Sequence, residues 1–477
     1  MVHLPIYRFG RAYRSLDVQT AVHHRTREPF VEISYANPGL IRRDLMNLPA
    51  ARAALARIPM DELMARAADA AEHFLHGTLA LDPLAGSTQS PQDYVEQVSA
   101  TTGLPWVMAR RNMRKVHGVL SRVREVFAGL TRGLDPRVLD EGVGQTDGRA
   151  VSFYPRGDAL GVVLPNNSPG VHALWAPAPA MKVPVVLKPG SAEPWTPARI
   201  VQAFIKAGYP PGAFGYYPAD HAAAAEVLRA AGRGMVFGDV TSTSRWKSDP
   251  RVEVHGPGYS KVVIGDDEVA NWEQHLDVLV TSALDNGGRS CVNASGVWVP
   301  RHGRAIAEAL ARRFAAIVPR AAEDEGAQIA PFADRGIAAR ISATIDRDLR
   351  DSGAVDLTHP LRGDRLVEFQ GCTYLLPTVV WCERRDHPLA NREFLFPFVS
   401  VVELPQGEIP AAIGPSLVVT AITHDATFAQ RFVASPHIDR LNLGAIPTMQ
   451  IGWDQPHEGN LFDHLYGRRA IQQAVTA

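Results

Sequence analysis

An alternation of short apolar runs with helical segments constrains the fold of this chain more than any other feature of its sequence. From Val151 onward, apolar runs such as 161–164 and 183–187 are followed by helix-forming stretches such as 197–207 and 222–231. Short apolar runs that end in turn residues are typical of strands buried on both faces of a sheet. Their alternation with helices indicates right-handed βαβ units, so the sequence predicts an α/β protein built on parallel sheets.

A second series of strands and helices appears in the second half of the chain. It is predicted from apolar runs at 296–299, 378–381 and 399–404 and from a helical pattern over 303–317. Residues 47–143 show helical periodicity interrupted by turns, and we expect them to form helices that cover the first lobe. Because 477 residues exceed what one compact core usually holds, two or three lobes are expected.

Composition and charge exclude several classes of protein. Hydrophobic residues make up 46% of the chain and charged residues 21%, as in ordinary globular proteins. With 49 basic and 50 acidic residues the formal net charge is -1, so nothing attracts the whole protein to nucleic acid or to an anionic membrane. The basic run 108–115 is interpreted as the solvated face of a helix.

The cysteines and the apolar segments indicate a cytoplasmic protein. The 3 cysteines, at 291, 372 and 382, have the spacing of neither a disulfide framework nor a metal site, which favours a reducing compartment. The amino terminus lacks the apolar core of a secretory signal. The longest uncharged stretch, 159–181, carries prolines, glycines and asparagines, so no membrane span is predicted.

Cys291 is the strongest candidate for a reactive group. It lies in the run 285–296, among glycines and small polar residues that let the backbone approach a substrate closely. Taken alone, this cysteine would be interpreted as a small buried hydrophobe. Two distant segments favour a nucleophile instead, because Asn167 and Lys188 each follow an apolar strand at the end where parallel sheets place functional groups.

These segments together resemble the NAD(P)-dependent aldehyde dehydrogenase superfamily. That family has a Pro-Trp-Asn-Phe-Pro turn, a Leu-Lys-Pro-Ser-Glu turn and a Gly-Gln-x-Cys loop, and this chain has similar segments in the same order at 165–169, 187–191 and 288–291. A further segment, 392–399, is similar to the family's Glu-Ile-Phe-Gly-Pro-Val. The likeness implies two Rossmann-like doubly wound lobes plus a small oligomerisation element.

The resemblance also implies a mechanism and its residues. Cys291 would attack an aldehyde, giving a thiohemiacetal and, after hydride transfer, a thioester. Asn167 and the backbone N–H of Cys291 would stabilise the oxyanion. The cofactor would be NAD or NADP, held by residues taken from the family's motifs. They are Pro165, Lys188, Ser191, Thr241, Glu393 and Leu395, the last in place of a phenylalanine.

Two departures from the family affect the cofactor site. The turn 187–191 lacks the carboxylate that binds the ribose hydroxyls; Ser191 would not repel a 2′-phosphate, and Glu193 could substitute only through a longer turn. In the segment 237–245, Asp239 and Ser244 replace the glycines of the family's Phe-Thr-Gly-Ser-Thr-x-x-Gly-Arg. Because Asp239 would repel a pyrophosphate, cofactor binding is predicted to be altered, weakened or lost.

The third departure concerns release of the acyl group. His255 replaces the family's water-activating glutamate, and an imidazole can serve as that base, although a lone histidine is more often structural. Loss of the glutamate also characterises family branches that transfer the acyl group to coenzyme A. The segment around His255 also resembles the related acyl-CoA reductases. A third reading is a catalytically silent scaffold or ligand-binding relative.

The resemblance implies a division of the chain and a set of partners. Residues 1–255 would form the cofactor lobe, with 430–455 returning to it, and 256–429 the catalytic lobe. Residues 143–158 and 456–477 would form an oligomerisation hairpin and tail. The expected partners are a small-molecule aldehyde and further copies of the chain, as a homodimer or homotetramer.

Overall fold

Two seven-stranded sheets organise the protein, one in each half of the chain. The computed structural model describes residues 1–472. Helices cover both sheets, and the α/β class predicted from the alternating pattern is confirmed. Within the described residues, no helix is long and apolar enough to cross a membrane.

The first sheet has the strand order of a dinucleotide-binding fold. In spatial order its strands are Val252–His255, Gly232–Phe237, Ala159–Val163, Val185–Lys188, Phe214–Tyr216, Ile6–Arg8 and Arg11–Tyr13. The first five strands of this order are parallel to one another, and the last two form an antiparallel edge. The chain reverses its winding direction between Ala159–Val163 and Gly232–Phe237, which makes the carboxyl ends of these strands a switch point where ligands bind.

The second sheet is also mainly parallel. Its strands in spatial order are Ala354–Asp356, Thr378–Cys382, Phe398–Glu403, Ala294–Val299, Ser260–Ile264, Ser416–Ile422 and Ile438–Leu443. Ile438–Leu443 pairs in parallel with Ser416–Ile422. The prediction that 430–455 returns to the first lobe is therefore wrong at this strand, whose buried Arg440 and Asn442 extend the second sheet.

The remaining strands of the described residues form four smaller sheets. The segments 143–158 and 456–477 contact each other, because Tyr466–Arg469 pairs with Arg149–Pro155, which forms a hairpin with Val143–Thr146. Residues 473–477 of the predicted tail lie outside the described residues. The remaining small sheets are Val2–Leu4 with Pro29–Ser34 and Val18–Val22, Leu79–Asp82 with Ser87–Gln89, and Leu366–Phe369 with Cys372–Leu375.

The helices follow from apolar periodicity and capping residues. Ser90 and Asp93, for example, form a reciprocal capping box that starts the helix Pro91–Thr102, and Gly103 ends it in a left-handed conformation. The α-helices are Pro38–Leu45, Leu48–Ala56, Met60–His76, Pro91–Thr102, Trp106–Ser121, Val123–Thr131, Val138–Glu141, Trp195–Lys206, His221–Ala230, Val240–Thr243, Leu276–Leu284, Gly303–Ala315, Arg335–Asp348, His359–Arg362, Ile409–Ala412, Ala426–Val433 and Leu461–Leu465.

Candidate active site

A largely apolar cavity lies where the loop that carries Cys291 meets the first lobe. Helix Trp106–Ser121, the 3₁₀ turn Pro169–Leu174 and the segment 451–461 contribute most of its walls. Its polar groups come from Lys115, Ser168, Glu253, His255, Ser290, Cys291, Gln455, His457 and Glu458. Two of the three predicted catalytic side chains, Cys291 and His255, therefore face the same cavity.

The loop before Cys291 is held by side chains and by left-handed backbone. Asn286 and Gly287 have φ of 53° and 64°, and a Cβ at Gly288 would collide with the backbone at Phe396 and Pro397. The Asn293 side chain accepts a hydrogen bond from the Ser290 N–H at 2.9 Å and donates one to the Asp285 carbonyl at 3.0 Å. These contacts fix the loop, and Gly288 serves close packing against the neighbouring backbone.

The Cys291 thiol is partly exposed and is not paired in a disulfide. Burial raises its pKa above the ordinary value, and the negative charges of Glu458 and Glu393 raise it further, whereas Lys115 opposes them. The resting sulfur is therefore protonated at neutral pH. A thiolate must form through a neighbouring base or on substrate binding.

Asn167 contacts the cysteine loop directly. Its side-chain amide donates a hydrogen bond of 2.8 Å to the carbonyl of Arg289, two residues before Cys291. The second N–H of an asparagine amide remains available for another acceptor. The neighbouring Asn166 caps the local turn instead, accepting a hydrogen bond of 2.8 Å from the Ala192 N–H.

His255 is buried at the carboxyl end of the strand Val252–His255. Its ring stacks on Phe237 with 4.5 Å between ring centroids, and its Nδ1 bonds to the Glu458 carboxylate. Its Nε2 is buried and has no hydrogen-bond partner among the described residues. Burial opposes protonation, but the charge and hydrogen bond of Glu458, together with the charges of Glu253 and Asp439, outweigh it and raise the pKa of the imidazole. This histidine is thus an oriented side chain with one free nitrogen.

Lys115, Glu253 and Glu458 are cavity residues that the sequence analysis missed. The run 108–115 is not simply a solvated face, because the half-buried Lys115 points into the cavity while Arg111 and Arg114 remain exposed. Burial lowers the pKa of Lys115. Helical periodicity could have found it, since Lys115 follows the buried Met108 by two turns. No local pattern marks Glu253 or Glu458.

The predicted cofactor residues of the first lobe lie at the carboxyl edge of its sheet. Lys188 ends the strand Val185–Lys188 and is buried, and its side-chain ammonium makes no hydrogen bond or ion pair with the residues that the structure describes. Burial lowers the pKa of its ammonium. Pro165 lies beside it, because the backbone of Pro165 approaches Gly190 too closely for any Cβ there, and Ser191 is exposed.

Glu193 is buried and hydrogen-bonded to other side chains, so it does not replace the missing carboxylate that would bind the ribose hydroxyls. It is 1% exposed. Its Oε1 accepts hydrogen bonds from the N–H and hydroxyl of Thr196 at 2.9 and 2.7 Å. Its Oε2 lies 3.0 Å from His172 Nε2, and that nitrogen carries a proton because Trp175 donates to His172 Nδ1 at 3.0 Å.

Asp239 occupies the amino end of the short helix Val240–Thr243. Its carboxylate accepts a hydrogen bond of 2.8 Å from the Ser242 N–H, and this bond and the Ser242 hydroxyl lower the pKa of Asp239. The exposed Thr241 lies in the same turn. A negative charge therefore covers the backbone donors to which the family's glycine gives phosphate access.

Glu393 lies against the backbone that precedes the second sheet. Its carboxylate accepts hydrogen bonds from the N–H groups of Gly258, at 3.2 Å, and Tyr259. Burial raises the pKa of Glu393 to about 7. Leu395, two residues on, is 42% exposed. Glu393 is thus placed beside the cysteine loop, since Gly258 packs on the Cys291 carbonyl.

Comparisons with known proteins agree with this architecture. The sequence model described as the aldehyde dehydrogenase family matches residues 88–408. An NAD-dependent aldehyde dehydrogenase from Sinorhizobium meliloti has a TM-score of 0.79 at 17% identity, covering 100% of this chain and 95% of that one. A 3,6-anhydro-L-galactose dehydrogenase in complex with NAP has a TM-score of 0.79 at 15% identity, covering 98% and 99%. PnpE in complex with nicotinamide adenine dinucleotide has a TM-score of 0.78 at 16% identity, covering 99% and 98%. These likenesses confirm the predicted fold.

Proposed function

Because this chain belongs to the aldehyde dehydrogenase family, we propose that it oxidises an aldehyde to a carboxylic acid through a thioester on Cys291, with NAD or NADP as the hydride acceptor. One observation carries the proposal. Cys291 and the unpartnered Nε2 of His255 face the same cavity, and Asn167 is bound to the loop that holds the cysteine. A nucleophile, a base and an oxyanion donor are the groups that this chemistry needs.

The residues of the chain account for the covalent steps. The Cys291 sulfur, once deprotonated, adds to the aldehyde carbon, and the carbonyl oxygen becomes an oxyanion that an Asn167 N–H and the Cys291 N–H stabilise. A bound nicotinamide would accept the hydride, which leaves a thioester on the sulfur. Water then adds to the thioester carbon while its proton passes to His255 Nε2, the C–S bond breaks, and the acid departs.

Of the residues at the carboxyl edge of the first sheet, some favour binding of a dinucleotide and one opposes it. Lys188 is a buried residue whose ammonium has no partner in residues 1–472, which suits a ribose hydroxyl or a phosphate. The dinucleotides carried by the two relatives described above support NAD or NADP here. The residues that would hold the cofactor are Pro165, Lys188, Ser191, Thr241, Glu393 and Leu395. Asp239 opposes the pyrophosphate, so we expect weaker binding than in relatives with glycine there.

The test is an assay of purified protein with a panel of apolar aldehydes, since the cavity walls are mainly apolar. Each aldehyde is offered with NAD and with NADP, in the presence and absence of coenzyme A, and the product is identified by mass spectrometry in H₂¹⁸O. We expect a carboxylic acid with one ¹⁸O from water. A coenzyme A thioester would establish the acylating alternative. Failure of both dinucleotides to bind in a fluorescence titration would establish the scaffold alternative.

Asp239→Asn should strengthen cofactor binding. Asparagine keeps the cap on the helix Val240–Thr243 but removes the charge, so we expect Kd for NAD and NADP to fall by about fivefold, as is typical for one exposed charge. The measurement is a fluorescence titration at low salt. Asp249→Asn is the matched control and should leave Kd unchanged, because Asp249 is a partly exposed aspartate of the same lobe that pairs with Arg251 at 2.8 Å. An unchanged Kd in Asp239→Asn would place the pyrophosphate elsewhere.

We further infer that the chain acts in the cytoplasm as a homodimer or homotetramer. The free thiols of Cys291, Cys372 and Cys382 support a reducing compartment. The outer strand Val143–Thr146 of the three-stranded sheet leaves one edge unpaired in the described structure, and such an edge can pair with another copy. Light scattering of the purified protein tests the assembly.

A further inference from the structure

The segment before the last helix brings an acidic residue to the predicted base. Glu458 reaches His255 from 203 residues further along the chain, and its carboxylate bonds to His255 Nδ1. Its side chain is 16% exposed and lines the cavity that contains Cys291. The family's glutamate at position 255 is lost, yet a carboxylate faces the same cavity from a different element.

We propose that Glu458 is the positioning residue that makes His255 a base for thioester hydrolysis. By accepting the Nδ1 proton, its carboxylate fixes the tautomer in which Nε2 carries the lone pair, and it stabilises the imidazolium that forms when Nε2 takes a proton from water. Stacking on Phe237 restricts rotation of the ring. This inference rests on the proposed function, because it assigns a role within the same reaction.

The buried Nε2 of His255, which has no partner within the part of the chain that the structure describes, is an independent observation in favour of this role. A buried polar atom without a partner costs free energy unless a ligand or water completes it. Here the atom belongs to a side chain that lines a cavity, so an attacking water can donate a hydrogen bond to it. Glu458, His255 and Cys291 all line this cavity, so the histidine–glutamate pair and the sulfur face the same space.

Other charged groups surround the pair formed by His255 and Glu458, called the dyad below, and they influence the protonation of His255. The titratable groups that face His255 are Glu458, Glu253, Asp439, His457 and His464. The three carboxylates favour the imidazolium, while burial lowers the pKa of His457 to about 3 and of His464 to about 4, so both remain neutral. The pKa of His255 is raised, and neutral His255 becomes available as pH rises. Steady-state turnover limited by hydrolysis should therefore increase with pH through that raised pKa.

The decisive variant is Glu458→Gln, which keeps the shape of the side chain and removes its charge. We expect the burst of reduced cofactor, about one per active site, to persist, because it precedes hydrolysis. Steady-state kcat should fall by about tenfold or more, toward the larger loss expected for His255→Gln. In a plot of kcat against pH, the rise on the acid side (the acid limb) should move to lower pH by about one unit or more, because loss of an adjacent carboxylate lowers the pKa of His255. Glu458→Asp should restore part of kcat and of the acid limb.

A second histidine–glutamate pair provides the control. Glu268 lies 3.0 Å from His275 and its side chain is also 16% exposed, but neither residue lines the cavity. Glu268→Gln should leave the burst, kcat and pH profile unchanged. A loss of burst and kcat together in Glu458→Gln, or an unmoved acid limb, would overturn the proposal.

Titration of His255 by NMR separates this inference from the proposed function. The resonance is assigned by its absence in His255→Gln, and neither cofactor nor aldehyde is needed. A lower His255 pKa in Glu458→Gln than in the wild type supports the dyad even if no aldehyde is oxidised. Equal pKa values in the two proteins would overturn the dyad even if the enzyme is active.

Discussion

Replacing Cys291 with serine is expected to abolish aldehyde oxidation, with kcat reduced by about 10⁴-fold or more, as when a covalent nucleophile is removed. Serine is nearly isosteric, but its hydroxyl is far less acidic than a thiol and a far poorer nucleophile. The loop is held by the left-handed Asn286 and Gly287 and by the Asn293 side chain, none of which depends on the sulfur. Cofactor Kd and the unfolding temperature should therefore remain close to wild type.

The measurements are reduced-cofactor formation, cofactor titration and thermal unfolding. Cys372→Ser is the matched control, because Cys372 is a buried free thiol of the second lobe that does not line the cavity. It should keep turnover per folded protein while losing some stability, since a hydroxyl replaces a buried thiol. Turnover that survives in Cys291→Ser would remove the thioester mechanism and, with it, the proposed function.

Asn167→Ala is expected to lower kcat by about a hundredfold, the loss typical of one oxyanion donor. The effect should appear in kcat more than in KM, because the donor strengthens its bond as negative charge develops on the oxygen. Asn167 also anchors the cysteine loop through the Arg289 carbonyl at 2.8 Å, so a defect in loop position must be told apart from loss of the donor.

Two further variants separate these explanations. Asn166→Ala removes the neighbouring cap on the Ala192 N–H, and we expect it to affect stability with little change in kcat. Alkylation of Cys291 by iodoacetamide reports on the loop itself. If Asn167→Ala alkylates at the wild-type rate but turns over a hundredfold more slowly, the donor role stands; a matching loss in both rates would make Asn167 an anchor of the loop.

Elements with a strong local pattern were predictable from the sequence alone. The helix expected over 303–317 is Gly303–Ala315, and the strand expected at 378–381 is Thr378–Cys382. Periodicity and turn residues act over a few neighbouring positions, so they are readable without the fold. Cys291 could also be singled out locally, because it lies in a short run rich in glycines and small polar residues.

Contacts between distant segments were decided by the tertiary structure. Nothing near Glu193 in the sequence indicates that Thr196 and His172 will hydrogen-bond to its carboxylate oxygens. Nothing near Glu458 indicates that its carboxylate will bond to His255. Likewise Ile438–Leu443 was assigned to the first lobe, whereas pairing places it in the second sheet. Such contacts depend on how separate elements pack, and a sequence pattern carries no record of that packing. The sequence therefore determined the fold class and the candidate nucleophile, while the arrangement of charges around that cysteine was determined only by the folded chain.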